Sequence, residues 1–449
     1  MTPAADDLWF LPLGGCGEIG MNLNLYGHDG RWLMVDCGIT FGHPGEPAPH
    51  IQMADPAFIA ERRDELVALI VTHAHEDHVG AVPHLWRQLQ CPVYTTRFTA
   101  EILNRKLAEA GLMEEVPVHV VRPGTRLELD GFDVEWVDLT HSTPESQALV
   151  IRTAAGAVFH TGDWKLDDDP VVGADYAESR YRALGGESIL AMVCDSTNAL
   201  VEGRSRSEGE LYEGLRQLVE DAPGRVVVSC FGSNVARLRT LVQVAADTGR
   251  YPALLGRSLR NYYRAAIAAG LWEHRFTFID SEHVGYLPPE EVLVIATGSQ
   301  GESGAALDRL ANGNHYALDL DRGDSVVLSS RVIPGNEPAV ESLVRRLQRL
   351  GVRVVTDAEC NLPIHASGHP ARAELEDMYR WVHPKIAVPV HGEDAHMRAN
   401  AELARALGVP RQLTGQNGDL FMLAPLAGVR RKAAPVGRLG LEDDRLVRL

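Results

Sequence analysis

The densest cluster of chemically capable side chains is Thr72-His73-Ala74-His75-Glu76-Asp77-His78, directly after the apolar run at residues 66–71. Histidines two apart at a strand end or turn point the same way and can chelate one ion, and the following Asp-His pair can bind a second ion beside it. Imidazole and carboxylate together suit zinc or manganese. A solvated histidine-rich loop would read the same locally, but related features recur downstream. His141 follows a strand candidate in Thr140-His141-Ser142, Asp163 follows another in His160-Thr161-Gly162-Asp163, and His391 ends a third in Val390-His391-Gly392-Glu393. Taken singly, His141 is a loop histidine and Gly162-Asp163 a turn. Together with His73, His75, Asp77 and His78 they place every candidate ligand at the end of a strand candidate. Strand ends converge on one edge of a sheet, where an open two-metal site can form, and one carboxylate can bridge two cations.

The elements that must position these residues change character along the chain. Residues 8–13, 31–37 and 66–71 are strand candidates, and 132–139, 147–153 and 157–161 look like hairpins of a meander around Asp130-Gly131 and Ala155-Gly156. Residues 98–110 have helical apolar spacing and stop at Gly111. From about Arg204 onward strands alternate with helices: helices at 207–220, 234–247, 258–269 and 337–350, strands at 225–229, 292–296, 325–329 and 352–355. That alternation predicts a parallel sheet covered by helices. After Cys360 the chain is polar and histidine-bearing again, then predicts a helix (372–381), a strand (386–390) and a helix (395–406). The charged tail, residues 430–449, is expected to be weakly ordered.

Composition sets outer limits. The 449 residues, 49.1 kDa, accommodate two or three domains, and 45% hydrophobic with 23% charged residues exclude a disordered chain. A net charge of −18 argues against a simple polybasic nucleic-acid binder. It leaves room for a local basic groove, and carboxylates that hold metals are neutralised by them. Six scattered cysteines without a Cys-x-x-Cys imply reduced, buried thiols and no disulfide framework. The N-terminus lacks a basic region before an apolar core, and no run approaches the roughly 20 apolar residues of a spanning helix. The expectation is a cytoplasmic protein without a membrane partner.

This pattern resembles the metallo-β-lactamase superfamily over nearly the whole chain, and within it the β-CASP nucleases of the ribonuclease J family. The residues that carry the resemblance are Gly14-Gly15-Cys16-Gly17-Glu18-Ile19-Gly20, Val35-Asp36-Cys37-Gly38, the 73–78 motif, and His160-Thr161-Gly162-Asp163-Trp164-Lys165. It continues in Asp195-Ser196-Thr197-Asn198, Thr297-Gly298-Ser299-Gln300-Gly301-Glu302, Ile333-Pro334-Gly335-Asn336-Glu337, His365-Ala366-Ser367-Gly368-His369 and His391-Gly392-Glu393. The 73–78 motif is shared with lactonases and glyoxalases, whereas the later motifs belong to the nuclease branch. The resemblance implies an α/β fold: a metallo-β-lactamase αββα sandwich from residues 1–204 and 355–449, with a β-CASP α/β domain, 205–354, inserted between. It implies two divalent metal ions, zinc or manganese. His73, His75 and His141 would hold one, and Asp77, His78 and His391 the other, with Asp163 bridging.

It also implies a reaction, hydrolysis of RNA phosphodiester bonds, in which paired ions about 3.5–4 Å apart clamp the attacking and leaving oxygens. Asp77 and Asp163 would serve catalysis through the metals, and Asp163 would help orient the attacking water. His369 would steady the phosphate or protonate the leaving 3′-oxygen, with Asp195 holding its imidazole. Asp195 also reads as the cap of whatever follows its strand. Ser367 and His365 are further phosphate contacts. Cys230-Phe231-Gly232-Ser233-Asn234 sits at a strand-to-helix turn, where free N–H groups favour phosphate, although Ser233 or Asn234 would equally cap the helix. In this family that turn faces a 5′-phosphate, so single-stranded RNA with a 5′-monophosphate and 5′→3′ exonuclease action are expected, beside endonuclease action. Arg237, Arg239, Arg257, Arg260 and Arg264 also lie in the insert, some on solvated helix faces and others as candidates for a groove, and Asn336 reads either as an N-cap or as a residue near substrate. Family members usually continue into a further C-terminal domain used in dimer contacts. This chain ends at Leu449, which leaves a core-to-core homodimer as the expected pairing. Asp394-Ala395-His396 also departs from the basic or aromatic residue usual after the His-Gly-Glu motif. A small-molecule hydrolase of lactonase or glyoxalase type would account for the first motifs but not the insert. A silent RNA-binding subunit would not need all seven ligands.

Overall fold

Two-residue periodicity decides which face of each strand is buried, and it builds two sheets that share a core. In the strand Leu8–Gly14, Leu8 and Phe10 point to one face and Leu11 and Leu13 to the other. The computed structural model describes residues 1–42, 48–272, 276–333 and 335–449, so Pro334 of the 333–337 motif lies outside the described residues. The first sheet has eight strands in the order Gly428–Arg430, Leu420–Ala424, Leu8–Gly14, Leu23–His28, Arg31–Val35, Leu66–Ile70, Val93–Thr95, Val118–Val120. The second has seven, in the order Arg411–Gln412, Ile386–Val390, Ala191–Asp195, Gly156–His160, Gln147–Thr153, Phe132–Asp138, Arg126–Leu129. Between them lie Phe10, Leu33, Ile70, Trp136, Leu149, Val193 and Val388. Each sheet buries its other face under helices: Val82–Leu89 and its neighbours on the first, Glu178–Leu184, Arg372–Val382 and Asp394–Ala406 on the second. The result is the αββα layering expected from the sequence. The expected meander is present, and its first hairpin turns on Asp130 and Gly131, both at positive φ, as a type I′ turn requires.

Between Ala191–Asp195 and Ile386–Val390, which pair directly in parallel, the chain leaves the sandwich and builds a third sheet. Its five strands are all parallel, in the order Tyr251–Leu255, Val292–Ala296, Val226–Ser229, Ser325–Leu328, Arg353–Thr356. Val226 and Val228 point to one face, under Leu211–Glu220 and Val235–Asp247, while Val227 points to the other, under Ala306–Ala311 and Glu337–Arg349. Strands buried on both faces read as the continuous apolar runs seen in the sequence.

The tail differs from expectation. Arg438–Glu442 and Arg445–Arg448 form a hairpin that pairs with Ile51–Ala54 and completes a four-stranded sheet with Ile39–Phe41. Its turn places Asp443 and Asp444 at positive φ, a conformation Asp tolerates better than most residues, so the end of the charged tail builds a regular hairpin.

Candidate metal centre

All seven candidate ligands lie where strands end. His73 follows Leu66–Ile70 by three residues and precedes the short helix Glu76–Val79, which carries Asp77 and His78. Asp163 follows Gly156–His160, and His391 directly follows Ile386–Val390. Two glycines make the approach feasible. A Cβ on Gly38 would sit 1.7 Å from the Asp77 carbonyl oxygen, and one on Gly368 would sit 2.7 Å from His141 Cε1. Asp36 and His391 have φ of 64° and 50°, a strained conformation for residues with a side chain, of the kind that collects at functional sites.

The donor atoms gather in two overlapping groups, His73, His75, His141 and Asp163, then Asp77, His78, Asp163 and His391, with all atoms of each group within 4.8 Å of one another. Asp163 is common to both. Its Oδ2 lies 3.1 Å from His78 Nε2, 3.3 Å from His391 Nε2, and 3.9 Å from both His73 Nε2 and His141 Nε2. His78 Nε2 is also 3.5 Å from Asp77 Oδ2.

The outer nitrogens are tied to the protein, which fixes the tautomers. His78 Nδ1 donates to Asp36 Oδ2 at 2.7 Å, His141 Nδ1 to the Gly368 carbonyl at 2.5 Å, and His391 Nδ1 to Asn22 Oδ1 at 3.0 Å. Thr72 Oγ1 donates to the Asp36 carboxylate and faces His73 Nδ1 at 2.9 Å. Each Nε2 is thereby left to point its lone pair inward, the usual support of a metal-binding imidazole. His75 presents Nδ1 instead, 3.0 Å from His141 Nε2. His73 Nε2 is buried and without a hydrogen-bond partner among the described residues. An orphaned nitrogen facing a carboxylate within a ring of imidazoles is costly unless a cation takes its lone pair.

Electrostatics separates the two groups. Burial, with the neighbouring imidazoles, holds His73 and His141 well below the usual histidine range, and burial lowers His75 to about 4, so these three are neutral ligands at pH 7. Burial also opposes charge on His78, but the carboxylates of Asp163, Asp77 and Asp36 outweigh it and raise its pKa. Asp163 and Asp77 stay ionised despite burial because imidazoles face them. Such a concentration of buried carboxylates calls for cations.

Beside the ligands, Asp195 Oδ2 accepts a hydrogen bond from His369 Nδ1 at 2.8 Å, and His369 Nδ1 lies 4.0 Å from Asp163. Asp195 Oδ1 accepts from the Thr197 amide, so it caps its turn as well. Burial works against a charged His369, but the Asp195 carboxylate raises its pKa to about 9. Ser367 Oγ accepts from Asn198 Nδ2 at 2.8 Å, which shapes the same loop. His365 stands apart: it joins none of the metal-capable groups among the described residues, its Nδ1 is buried without a partner, and it faces the charges of Arg237 and Glu208.

In the insert, Asn234 caps the helix Val235–Asp247. Its Oδ1 accepts from the Arg237 amide at 2.8 Å and its Nδ2 donates to Glu208, which leaves neither end for a ligand. Ser233 makes no side-chain hydrogen bond to a described residue. Arg237, read as a groove residue, is instead buried against Glu208. Arg239 donates to the Val171 carbonyl and Arg260 to Leu254 and Ser281, so both brace local backbone or side chains. Asn336 does not cap its helix through the side chain, which donates to Gln300 instead. Asn22 and Tyr262, whose hydroxyl donates to the Ala74 carbonyl between the first two histidines, carry supporting roles that no local pattern announced. Asp36 did stand within a recognisable motif.

A sandwich with seven histidine and aspartate ligands at its strand ends, interrupted by a parallel five-stranded module, defines a metallo-β-lactamase hydrolase of the β-CASP type. Family models match in the same order: the metallo-beta-lactamase superfamily over residues 20–182, the beta-CASP domain of ribonuclease J over 223–347, and a Zn-dependent metallo-hydrolase RNA specificity domain over 362–412. Ribonuclease J of Sinorhizobium meliloti is 46% identical over 98% of this chain and 78% of its own length. Ribonuclease J of Mycobacterium tuberculosis is 38% identical over 95% and 76%, and that of Thermus thermophilus is 34% identical over 93% and 74%. A crystal structure of a protein of unknown function from Enterococcus faecalis shares the fold, with a TM-score of 0.61 at 15% identity over 93% of this chain and 100% of that one. The chain therefore belongs to the ribonuclease J family. It is a metal-dependent ribonuclease that binds divalent ions and acts on RNA, and neither the small-molecule hydrolase nor the silent subunit is favoured. No helix among the described residues is long and apolar enough to cross a membrane.

Proposed function

We propose that this ribonuclease degrades single-stranded RNA from a 5′-monophosphate end in the 5′→3′ direction, beside internal cleavage, using two zinc ions. The donor set of five imidazoles and two carboxylates, with His73, His75 and His141 neutral and the His73 Nε2 orphaned, suits zinc. His73, His75 and His141 would hold one ion and Asp77, His78 and His391 the other, with Asp163 shared. Such ions supply Lewis acidity and water activation for phosphodiester hydrolysis.

The chain's own residues then bind, orient and protonate. With Nδ1 held by Asp195, His369 presents Nε2 to the substrate. A pKa near 9 keeps the ring charged at neutral pH, so it can donate to a phosphate oxygen and deliver a proton to the leaving 3′-oxygen. Ser367, positioned by Asn198, borders the same phosphate. All six cysteines are free, which accords with work in the reducing cytoplasm.

The observation that carries the direction is the Ser233 hydroxyl, which has no hydrogen-bond partner among the described residues and stands one residue before Asn234, the N-cap of the 13-residue helix Val235–Asp247. A helix start favours an anion. A terminal monophosphate dianion satisfies such donors, whereas a 5′-hydroxyl leaves them unpaired, which costs about 1–3 kcal/mol, or roughly tenfold to a hundredfold in rate. The test presents one RNA with 5′-monophosphate, 5′-triphosphate or 5′-hydroxyl ends, labelled at either terminus, to the wild type and Ser233→Ala. Preference for the monophosphate with mononucleotide products, reduced in Ser233→Ala, supports the reading. Equal rates on all three ends reject it and leave an endonuclease.

A further inference from the structure

A second polar cluster, buried and outside the metal-capable groups, lies where the insert joins the sandwich. Lys165, Asp167, Glu208 and Arg237 are each at most 1% exposed, and their formal charges cancel. Lys165 follows Asp163 by two residues. Its Nζ lies 2.6 Å from Asp167 Oδ2 and donates to the Arg206 carbonyl, where the chain leaves the sandwich. Asp167 Oδ2 accepts from the Glu208 amide at 3.0 Å, and Asp167 Oδ1 accepts from Ser207 Oγ. Glu208 receives Arg237 in fork geometry, Nε to Oε2 and Nη2 to Oε1, both at 3.1 Å. Arg237 Nη1 goes on to the Ser329 carbonyl at 2.8 Å and the Ile364 carbonyl at 3.4 Å. Ile364 opens the loop that carries Ser367 and His369.

The chain of contacts thus ties together three segments with different duties. At one end, Thr140 Oγ1 donates to the Lys165 carbonyl and accepts from the Asp167 amide, which fixes the loops of His141 and Asp163 to each other. In the middle stands the first turn of the helix Val235–Asp247. At the other end is the returning strand-to-loop segment before His369. Burying four charges is expensive, and apolar residues of similar volume would stabilise such a junction at least as well. What the ion quartet offers instead is one geometry. A bidentate Arg–carboxylate pair admits little angular freedom.

We propose that Lys165, Asp167, Glu208 and Arg237 are positioning residues for RNA cleavage: they fix the insert against the sandwich, and so set the RNA cleft, without touching substrate. A loosened insert weakens the grip on RNA and leaves the chemistry on bound RNA largely unchanged. The quartet therefore acts on KM, whereas residues that hold metal act on kcat and metal content.

The experiment uses the full chain and a long single-stranded RNA, with metal content measured on the same preparations. Glu208→Gln removes one charge and strands Arg237. Arg237→Lys keeps the charge but loses the fork, and it carries the test if the first variant does not fold. In the folded variants the expected result is a KM raised about tenfold or more, with kcat within about threefold of wild type and metal content unchanged. Arg237→Lys should lie between Glu208→Gln and wild type. A lowered melting temperature with unaltered KM would make the quartet merely structural and overturn the proposal. A fall in kcat and bound metal at constant KM would assign the quartet to the Asp163 loop and overturn it equally.

Discussion

Asp36 and His78, 42 residues apart, meet through a 2.7 Å hydrogen bond from the imidazole Nδ1 to the carboxylate Oδ2, with both side chains buried. The same carboxylate accepts from the Thr72 amide and hydroxyl, and so sets the root of the loop that carries His73, His75 and Asp77. One acid outside the ligand groups therefore orients two imidazoles, His78 directly and His73 through Thr72. Asp36→Ala is expected to weaken binding of the metal pair by about 10–100-fold. Asp36→Asn, which keeps an acceptor oxygen, should lose less. Chelator competition with circular dichroism on the same samples measures this, and an Asp36→Ala protein with wild-type metal affinity would remove Asp36 from the site.

Asp77→Ala and His78→Ala remove donors from the second group, next to the shared Asp163. Both should abolish RNA hydrolysis and reduce bound metal while the sandwich keeps its far-ultraviolet spectrum, since Asp77 and His78 stand at a strand end outside the apolar core between the sheets. Near-full activity with two ions per chain in either variant would mean that the second group is not a ligand set.

His369, proposed to face the substrate, borders the same cluster. Its hydrogen bond is to Asp195, so His369→Ala should lower turnover by about 10²–10⁴-fold, the range of a general acid, while leaving metal content near wild type. Parallel measurement of kcat and bound metal decides the matter. If the metal is lost first, His369 is a ligand and the third metal-capable group, Asp163, Asp195 and His369, has to be taken at face value.

How much of this was legible in the sequence follows from how local each interaction is. His73 to His78 sit within a few residues after an apolar strand, so their spacing suggests chelation without knowledge of the fold, and the downstream His141, Asp163 and His391 set it apart from a solvated loop. The meander and the parallel insert were legible because strand alternation and strand–helix alternation are short-period signals. Asn22 supports His391 from 369 residues away, and nothing about an asparagine near a glycine-rich loop announces that contact. Arg237 looked like a groove cation because it stands one turn into a helix that starts at a plausible phosphate-binding turn. Its burial depends on Glu208, 29 residues earlier, folding back beneath it. The tail was misjudged for a different reason: the charge of residues 430–449 reads as solvated chain, yet in the structure its end is a hairpin, turning on Asp443 and Asp444, whose partner strand lies near residue 52.

His160, which belongs to neither ligand group, gives a further pH dependence. It is buried with Nδ1 2.9 Å from the Tyr26 hydroxyl, and burial lowers its pKa to about 4. In the unfolded chain the ring takes up a proton near pH 6.5. The unfolded state thus binds the proton first as pH falls, and the contribution of a neutral His160, complete above about pH 6.5, is lost progressively towards pH 4. At pH 5 the loss is about 2 kcal/mol. His73, His75 and His141 add their own losses, so denaturant unfolding of metal-free protein at pH 7 and pH 5 should show a decrement smaller in His160→Gln than in wild type by about this amount. An identical decrement in the two proteins would refute the assignment.

The last prediction concerns salt. The chain carries a net charge of −18, so binding of RNA requires local cations. Arg331 is one that the sequence reading overlooked. It is exposed on the insert at the end of the strand Ser325–Leu328, its guanidinium reaches Asn198 Oδ1 at 3.3 Å, and Asn198 in turn holds Ser367 and the His369 carbonyl. The Arg331 carbonyl accepts from Gln300, which steadies the backbone beneath the charge. A guanidinium on the insert beside the Ser367–His369 loop is expected to meet an RNA phosphate. Each phosphate contact releases condensed counterions, with a slope in log affinity against log salt of about −0.7 per contact on single strands. Affinity for RNA should therefore fall with salt in the wild type, and Arg331→Ala should bind more weakly with a slope shallower by roughly one contact. The measurement is a fluorescence-anisotropy titration of a labelled RNA at several salt concentrations, with an inactive Asp77→Ala background to prevent cleavage. A slope unchanged by Arg331→Ala would place that guanidinium off the path of the RNA.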